Sequence, residues 1–272
     1  MELGGFKALA RGPAKPGSPT LVWLHGFPDH PPTAEPLFAE LESRFRVIAP
    51  WLRGYAPSPL EGPYDLETLA RDVIGMLVEL DQPVDLVGHD WGAVITYAVC
   101  ALAPERVRRA VTLAVPHPLT MMRALRTPAQ LRRSWYMMLF QLPGASRLVR
   151  ARGLALVDRL WRTWSPDFRL DATRREDLHA CLAASLPAPI EYYRAMRRTR
   201  PRETLRLFAK PIATPLLQLH GANDGCILPP RRPDDDARRF VTRRLEIIDG
   251  AGHFLHLEQP VAVAARIIDW LA

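Results

Sequence analysis

Cysteine is scarce in this chain. Cys100, Cys181 and Cys226 are the only three in 272 residues. An odd, widely spaced set gives no disulfide framework and fits a reducing compartment. None of the three has a partner at metal-ligand spacing, and no two histidines stand in an H-E-x-x-H arrangement, so no metal is expected. Sequences of the G-x-G-x-x-G and Walker A kinds are missing as well, so no cofactor is expected. No apolar run approaches the roughly 18 residues that a bilayer span needs. The opening MELGGFKALARGP is too short and too weakly apolar for a secretory leader. Together these absences predict a cytoplasmic protein without stable membrane insertion. Lysine is nearly absent too, since arginine supplies 33 of the 36 basic residues.

What is present suffices for a full core. Hydrophobic residues make up 48%, and the 27 prolines are scattered through apolar periodic sequence rather than gathered in a disordered tract. The charge is uneven. Residues 117–208 hold 18 Arg against 7 Asp and Glu, a net +11 within a whole-chain +7, which leaves −4 for the remainder. Most of those arginines alternate with leucines at helical intervals. They show no aromatic-interleaved strand pattern and no zinc-finger spacing. The block predicts a solvated helical surface, not a nucleic-acid partner.

Short apolar runs at Thr20–His25, Arg46–Ala49, Val84–Gly88, Arg109–Val115, Pro215–Leu219 and Leu245–Ile248 predict strands. Periodic stretches at Leu66–Leu80, Trp91–Leu102 and Val261–Leu271 predict helices. Strands and helices alternate at both ends of the chain, as in a mostly parallel sheet covered on both faces. From Pro118 to about Arg206 the alternation stops, and leucine- and arginine-rich helical segments are broken by Pro143-Gly144, Ser165-Pro166 and Pro187–Pro189. An all-helical insertion there stands over the C-terminal strand edge, where open α/β sheets place their ligands. Arg231–Arg239 is charged and predicts an exposed loop.

The sharpest local signal is Val87-Gly88-His89-Asp90-Trp91-Gly92, between a strand and a helix. It is the strand–turn–helix pattern G-x-S-x-G with Asp in place of Ser. Glycines on either side leave room for strand and helix to pass closely, and the central side chain is pushed up above the sheet. Asp is also a preferred helix N-cap, and Asp90 taken alone fits that role equally. Other residues favour chemistry. His25-Gly26-Phe27-Pro28 follows the first predicted strand, placing the Phe27 and Trp91 amides as an oxyanion pair. Asp224 follows the fifth predicted strand and His253 the last. The order Asp90, Asp224, His253 is nucleophile, acid, histidine. Asp249 and the Asp234–Asp236 run compete with Asp224 as the acid, but read as solvated. His25 and His89 read as hydrogen-bonded packing residues, and His256 carries no clear signal.

An aspartate nucleophile attacks an sp³ carbon and becomes an alkyl ester. Water activated by a histidine then cleaves that ester at its carbonyl, with the acid orienting the imidazole. Epoxides and carbon–halogen bonds are suitable electrophiles. A halide needs converging N–H donors, whereas an epoxide oxygen needs a proton, best given by a phenol. Tyr136 and Tyr193, in the helical insertion, could provide an acid pair or could be packing residues.

On these motifs the sequence resembles the α/β-hydrolase-fold epoxide hydrolases, from about Thr20 to Leu271. The matching segments are HGFP at His25–Pro28, GHDWG at Gly88–Gly92, GHFLHLEQP at Gly252–Pro260, WYMMLFQLPG at Trp135–Gly144 and EYYRAM at Glu191–Met196. The resemblance implies a core of residues 1–117 and 207–272 and a helical cap of residues 118–206. It places the nucleophile on Asp90, the base on His253, the acid on Asp224 and the cap tyrosines on Tyr136 and Tyr193, with Tyr192 competing for the last position. It implies an apolar epoxide and water as reactants, a detoxification role, and a monomer or homodimer. Related haloalkane dehalogenases share the elbow, and Trp91 resembles their halide-binding tryptophan. They typically carry Asn or Glu where Phe27 stands. An esterase-like hydrolase is a further alternative. Two departures stand out. Trp51-Leu52-Arg53-Gly54 lacks the acidic residue usual in that stretch, which should alter loop packing more than chemistry. Only 19 residues precede Thr20, which predicts an incomplete first hairpin.

Overall fold

The computed structural model describes residues 1–13, 17–198, 201–230 and 236–272. Eight strands form one sheet in the order β1-β2-β4-β3-β5-β6-β7-β8. They are β1 (Glu2–Leu3), β2 (Phe6–Arg11), β3 (Thr20–Leu24), β4 (Arg46–Pro50), β5 (Val84–His89), β6 (Val107–Leu113), β7 (Leu216–Gly221) and β8 (Arg243–Ile248). From β4 across to β8 all neighbours are parallel, and β2 pairs antiparallel with both β1 and β4. A first hairpin is present but incomplete, since β1 has only two residues. Gly4 and Gly5, both at positive φ, close its turn. β5 is buried at every residue, as the central strand of a parallel sheet must be.

The helices are α1 (Glu35–Leu41), α2 (Leu66–Val78), α3 (Trp91–Leu102), α4 (Pro118–Ala124), α5 (Pro128–Arg133), α6 (Trp135–Phe140), α7 (Ala145–Trp164), α8 (Ala172–Ser185), α9 (Ala188–Arg198), α10 (Pro201–Leu207), α11 (Leu255–Glu258) and α12 (Pro260–Leu271). Helix α2 starts where the Asp65 carboxylate accepts from the Thr68 N–H. Helices α4 to α10 fill the stretch between β6 and β7 without a strand among the described residues. Helix α7 is broken at Ala151–Leu154, where Arg152, Gly153 and Leu154 take positive φ. β6 stops before its expected end because Ala114 turns to φ +67°.

One hydrophobic cluster lies under the sheet between α1 and α12 and includes Trp23, Phe38 and Leu271. The larger cluster joins the other face of the sheet to the helical insertion, running from Leu24 and Phe27 through Trp91 to Tyr136 and Trp164. The insertion thus packs directly over the strand ends that carry Phe27 and Asp90. Of the charged Arg231–Arg239 stretch, residues 231–235, including Asp234 and Asp235, lie outside the described residues, and Ala237–Arg239 form a short turn of 3-10 helix. No helix among the described residues is long and apolar enough to cross a membrane.

Candidate active site

Asp90 is the single residue between β5 and α3, held at φ 51° and ψ −117°. Positive φ at a non-glycine residue costs on the order of 1–3 kcal/mol, a strain that clusters at functional sites. Its side chain does not cap α3. The Oδ1 atom instead accepts the Phe27 N–H at 2.8 Å. Close approach on both sides explains the glycines. A Cβ on Gly92 would lie 2.0 Å from the Leu24 carbonyl oxygen, and one on Gly88 would lie 2.3 Å from the Gly92 carbonyl oxygen. Among the described residues, the Trp91 N–H makes no matching bond to the carboxylate, so only half of the expected oxyanion pair is engaged.

His253 closes on the same carboxylate from the loop after β8. Its Nε2 stands 3.5 Å from Asp90 Oδ2, which is approach rather than a good hydrogen bond. Its Nδ1 lies 2.9 Å from Asp224 Oδ2. The loop after β7 fixes Asp224, whose Oδ1 accepts the N–H groups of Cys226 and Ile227 at 2.7 and 2.8 Å. The three residues are at most 5% exposed.

A family description, the alpha/beta hydrolase family, matches residues 21–266. Human epoxide hydrolase 4 is 29% identical over 270 residues, covering 94% of this chain and 73% of that protein. Mouse epoxide hydrolase 3 is 30% identical over 259 residues, covering 89% and 67% respectively. The chain belongs to the alpha/beta hydrolase family, among its epoxide hydrolases. The solved structure of epoxide hydrolase A from Mycobacterium thermoresistibile is similar at a TM-score of 0.83 and 25% identity, covering 100% of this chain and 96% of that one.

The electrostatics of the hydrolase follow from burial and charge. Burial alone would push the His253 pKa down, but the charges of Asp224 and Asp90 override it and raise the group to about 10. For Asp224 burial pushes up, and the neighbouring His253 and His220 carry it below the usual carboxylate range. His220, which the sequence did not single out, sits with Nε2 3.2 Å from Asp224 Oδ2. Its spacing of four residues from Asp224 across a strand end was the available signal.

Tyr136 on α6 and Tyr193 on α9 face each other with ring centroids 5.7 Å apart. Both border a cavity of about 180 Å³ that has Asp90 and Trp91 on its floor. The Tyr136 hydroxyl rests 3.4 Å from Cys226 Sγ. The Tyr193 hydroxyl is buried with no hydrogen-bond partner among the described residues. Tyr192 donates its hydroxyl to the Arg53 carbonyl, which leaves Tyr193 as the free phenol of the pair. Burial raises both Tyr136 and Tyr193 well above the ordinary phenol value, so each keeps its proton.

His25 is a packing residue. Its Nδ1 meets the Gly26 carbonyl at 3.0 Å and its Nε2 accepts the Leu52 N–H at 3.2 Å, tying the Trp51–Gly54 stretch to the loop of Phe27. His89 lies 3.0 Å from the His253 carbonyl through Nε2. Its other face meets Asp29 and His256, and the ligand-type atoms of these three buried residues lie within 4.8 Å of one another. An imidazole pair with one carboxylate could hold a transition-metal ion. The loop after β3, the end of β5 and helix α11 bring the group together, so no sequence spacing announced it.

Proposed function

We propose that this hydrolase adds water to an apolar epoxide to give a vicinal diol, in two covalent steps. The observation that carries the reading is a carboxylate at the elbow, Asp90, facing the His253–Asp224 pair below and two protonated buried phenols above. Asp90 attacks one ring carbon. The C–O bond breaks, and its electron pair takes a proton from a phenol, Tyr193 or Tyr136, leaving a tyrosinate and an alkyl ester on Asp90. Water then gives a proton to His253 and its oxygen bonds to the ester carbonyl. The Phe27 N–H, already aimed at this group, stabilises the oxyanion. Collapse expels the diol as an alkoxide. The resting proton of His253 passes to the tyrosinate before the water attacks; of the two protons of the water, one then restores that imidazolium and the other ends on the alkoxide.

His253 must be neutral to act as the base, yet in the resting enzyme it is held protonated by two carboxylates. Esterification removes the charge of Asp90. The imidazole loses one of the groups that raised it, and its basicity falls toward working pH when the second step needs it.

The phenol pair favours an epoxide over a haloalkane. Phe27 presents a ring, packed edge-on against Phe140 and Tyr193, where a second halide donor would be needed. Residues 118–206, which carry both phenols, act as the cap domain on a core of residues 1–117 and 207–272. Free Cys100, Cys181 and Cys226 suit a cytoplasmic enzyme working as a monomer or homodimer. The test is a trapped ester. His253→Gln should gain the mass of one epoxide molecule, with the adduct on the Asp90 peptide. A single wild-type turnover in ¹⁸O-water should give unlabelled diol and label Asp90, whereas label in the diol would overturn the nucleophile assignment.

A further inference from the structure

The cavity above Asp90 is one-sided. It extends from the carboxylate past Trp91 and Val94 to Met121, Met122 and Met196, between α3, α4 and α9. Among the described residues, the flank of Phe27, Phe140, Trp164 and His253 does not line that cavity. Phe27, Phe140 and His253 are fully buried there and Trp164 is 1% exposed. Their rings interlock, with centroids 5.4 Å apart for Phe27 and Phe140, 5.1 Å for Phe140 and Tyr193, 4.8 Å for Tyr136 and Trp164, and 5.1 Å for Trp164 and His253. The wall is therefore built from the catalytic groups themselves and the rings packed on them.

We propose that the hydrolase is specific for epoxides with a carbon substituent on one ring carbon only, and that Phe140 is the residue that sets this limit. The inference rests on the reading of the site as an epoxide hydrolase. The argument is geometric. The epoxide oxygen must face the two phenols while Asp90 approaches from the far side of the C–O bond. That fixes the line joining the two ring carbons across the floor of the site. A substituent on one carbon can lie along the open flank, where flexible methionine side chains adapt to its shape. A trans substituent on the other carbon points the opposite way, into the aromatic wall. Rings packed at interior density cannot yield to it without off-rotamer strain. Phe140 is the member of that wall that takes no part in the chemistry, because it neither donates a proton nor orients His253. The unsubstituted ring carbon, lying nearer the wall, is the one attacked.

The experiment compares styrene oxide with trans-β-methylstyrene oxide, which differ by one methyl on the second ring carbon. Wild-type kcat/KM should favour styrene oxide by on the order of 100-fold. Phe140→Leu and Phe140→Ala should each cut that preference by roughly tenfold or more, as space appears on the closed flank. The leucine variant keeps most of the side-chain volume in case the alanine variant does not fold. Similar kcat/KM values for the two substrates in wild type would overturn the inference and leave the epoxide hydrolase reading intact. A preference that survives in a folded Phe140→Leu protein would overturn the role of Phe140. Absence of diol from both substrates, with no ester on Asp90 in His253→Gln, would overturn the underlying reading and this inference with it.

Discussion

Tyr136 and Tyr193 are equivalent in sequence terms but not in their surroundings. The Tyr136 hydroxyl rests against Cys226 Sγ, whereas the Tyr193 hydroxyl is buried without a partner. An unpartnered buried hydroxyl costs roughly 1–3 kcal/mol, and an epoxide oxygen would relieve that cost. Tyr193→Phe should therefore slow ester formation more than Tyr136→Phe. The double variant should lose about 10²–10⁴-fold, the usual worth of a positioned acid. Stopped-flow measurement of the alkylation phase would check both statements, and equal single-variant rates would show that the resting contacts do not matter. Charge makes a second residue-level case. His253 is raised from 6.5 to about 10, so its contribution to stability is complete below pH 6.5 and disappears as pH rises through about 10. Asp224 is shifted the other way. Its contribution is present above its unfolded value of 3.8 and is lost as pH falls through its lower folded value. Thermal midpoints against pH should be highest between those limits, and Asp224→Asn should flatten the alkaline limb. Asp90→Asn should lower the His253 pKa as followed by NMR, because it removes one of the charges that raise it.

Among the elements, the β5–α3 elbow was the most legible part of the chain. Small residues two positions before and after Asp90, a buried strand on one side and an apolar helix on the other are all local signals. The backbone contacts give those glycines their reason, and they set an expected cost. Gly92→Ala would bring a Cβ to 2.0 Å from a main-chain oxygen of Leu24. Neither chain segment can move aside cheaply, so the substitution should destabilise the fold by about 3 kcal/mol. Urea denaturation would measure it, and a loss under about 1 kcal/mol would mean that the elbow relaxes. The strands β3 to β8 along the chain and the helical insertion were legible for the same reason, since their apolar patterns span several residues, but the crossover that places β3 between β4 and β5 was not. The first hairpin was not. β1 has two residues, too few to show any period, and it is held by pairing with β2. His220 and the Asp29–His89–His256 group escaped notice for a different reason. The Asp29–His89–His256 group is assembled from segments distant in sequence, whereas His220 is only four residues from Asp224 but, as a histidine in isolation, reads as packing. The shape of the cavity also depends on side chains from several helices, and the resemblance implied only an apolar substrate.

At the scale of the whole molecule, the helical insertion does more than cover the site. Its helices hold the loops that carry the reacting groups. The Trp161 indole donates to the Pro28 carbonyl at 2.9 Å, and the Trp164 carbonyl accepts the N–H groups of Gly225 and His253 at 2.9 and 3.1 Å. Helix α5 adds Gln130, which is fully buried. Its amide nitrogen donates to the Cys226 carbonyl at 2.9 Å and its amide oxygen accepts the Leu228 N–H at 2.9 Å. Those two backbone groups flank Ile227, and the same loop fixes Asp224 through the Cys226 and Ile227 amides. Gln130 is therefore a positioning residue that acts on His253 through Asp224. Gln130→Ala would leave the buried Cys226 carbonyl and the half-buried Leu228 N–H without their side-chain partner and should cost about 2 kcal/mol of stability. The kinetic consequence separates this role from simple packing. Asp224 orients the imidazole for the second step, while Asp90 and the phenols carry the first. Loosening the Asp224 loop should slow ester hydrolysis more than ester formation. Under saturating epoxide, the Gln130→Ala enzyme should then accumulate the Asp90 ester, with kcat and KM falling together, because substrate is captured faster than product is released. A purely structural residue would lower the active fraction and leave KM and the steady-state ester level of the surviving enzyme unchanged. Quenched-flow mass analysis of the ester during turnover distinguishes the two, and an ester level equal to wild type would overturn the positioning role.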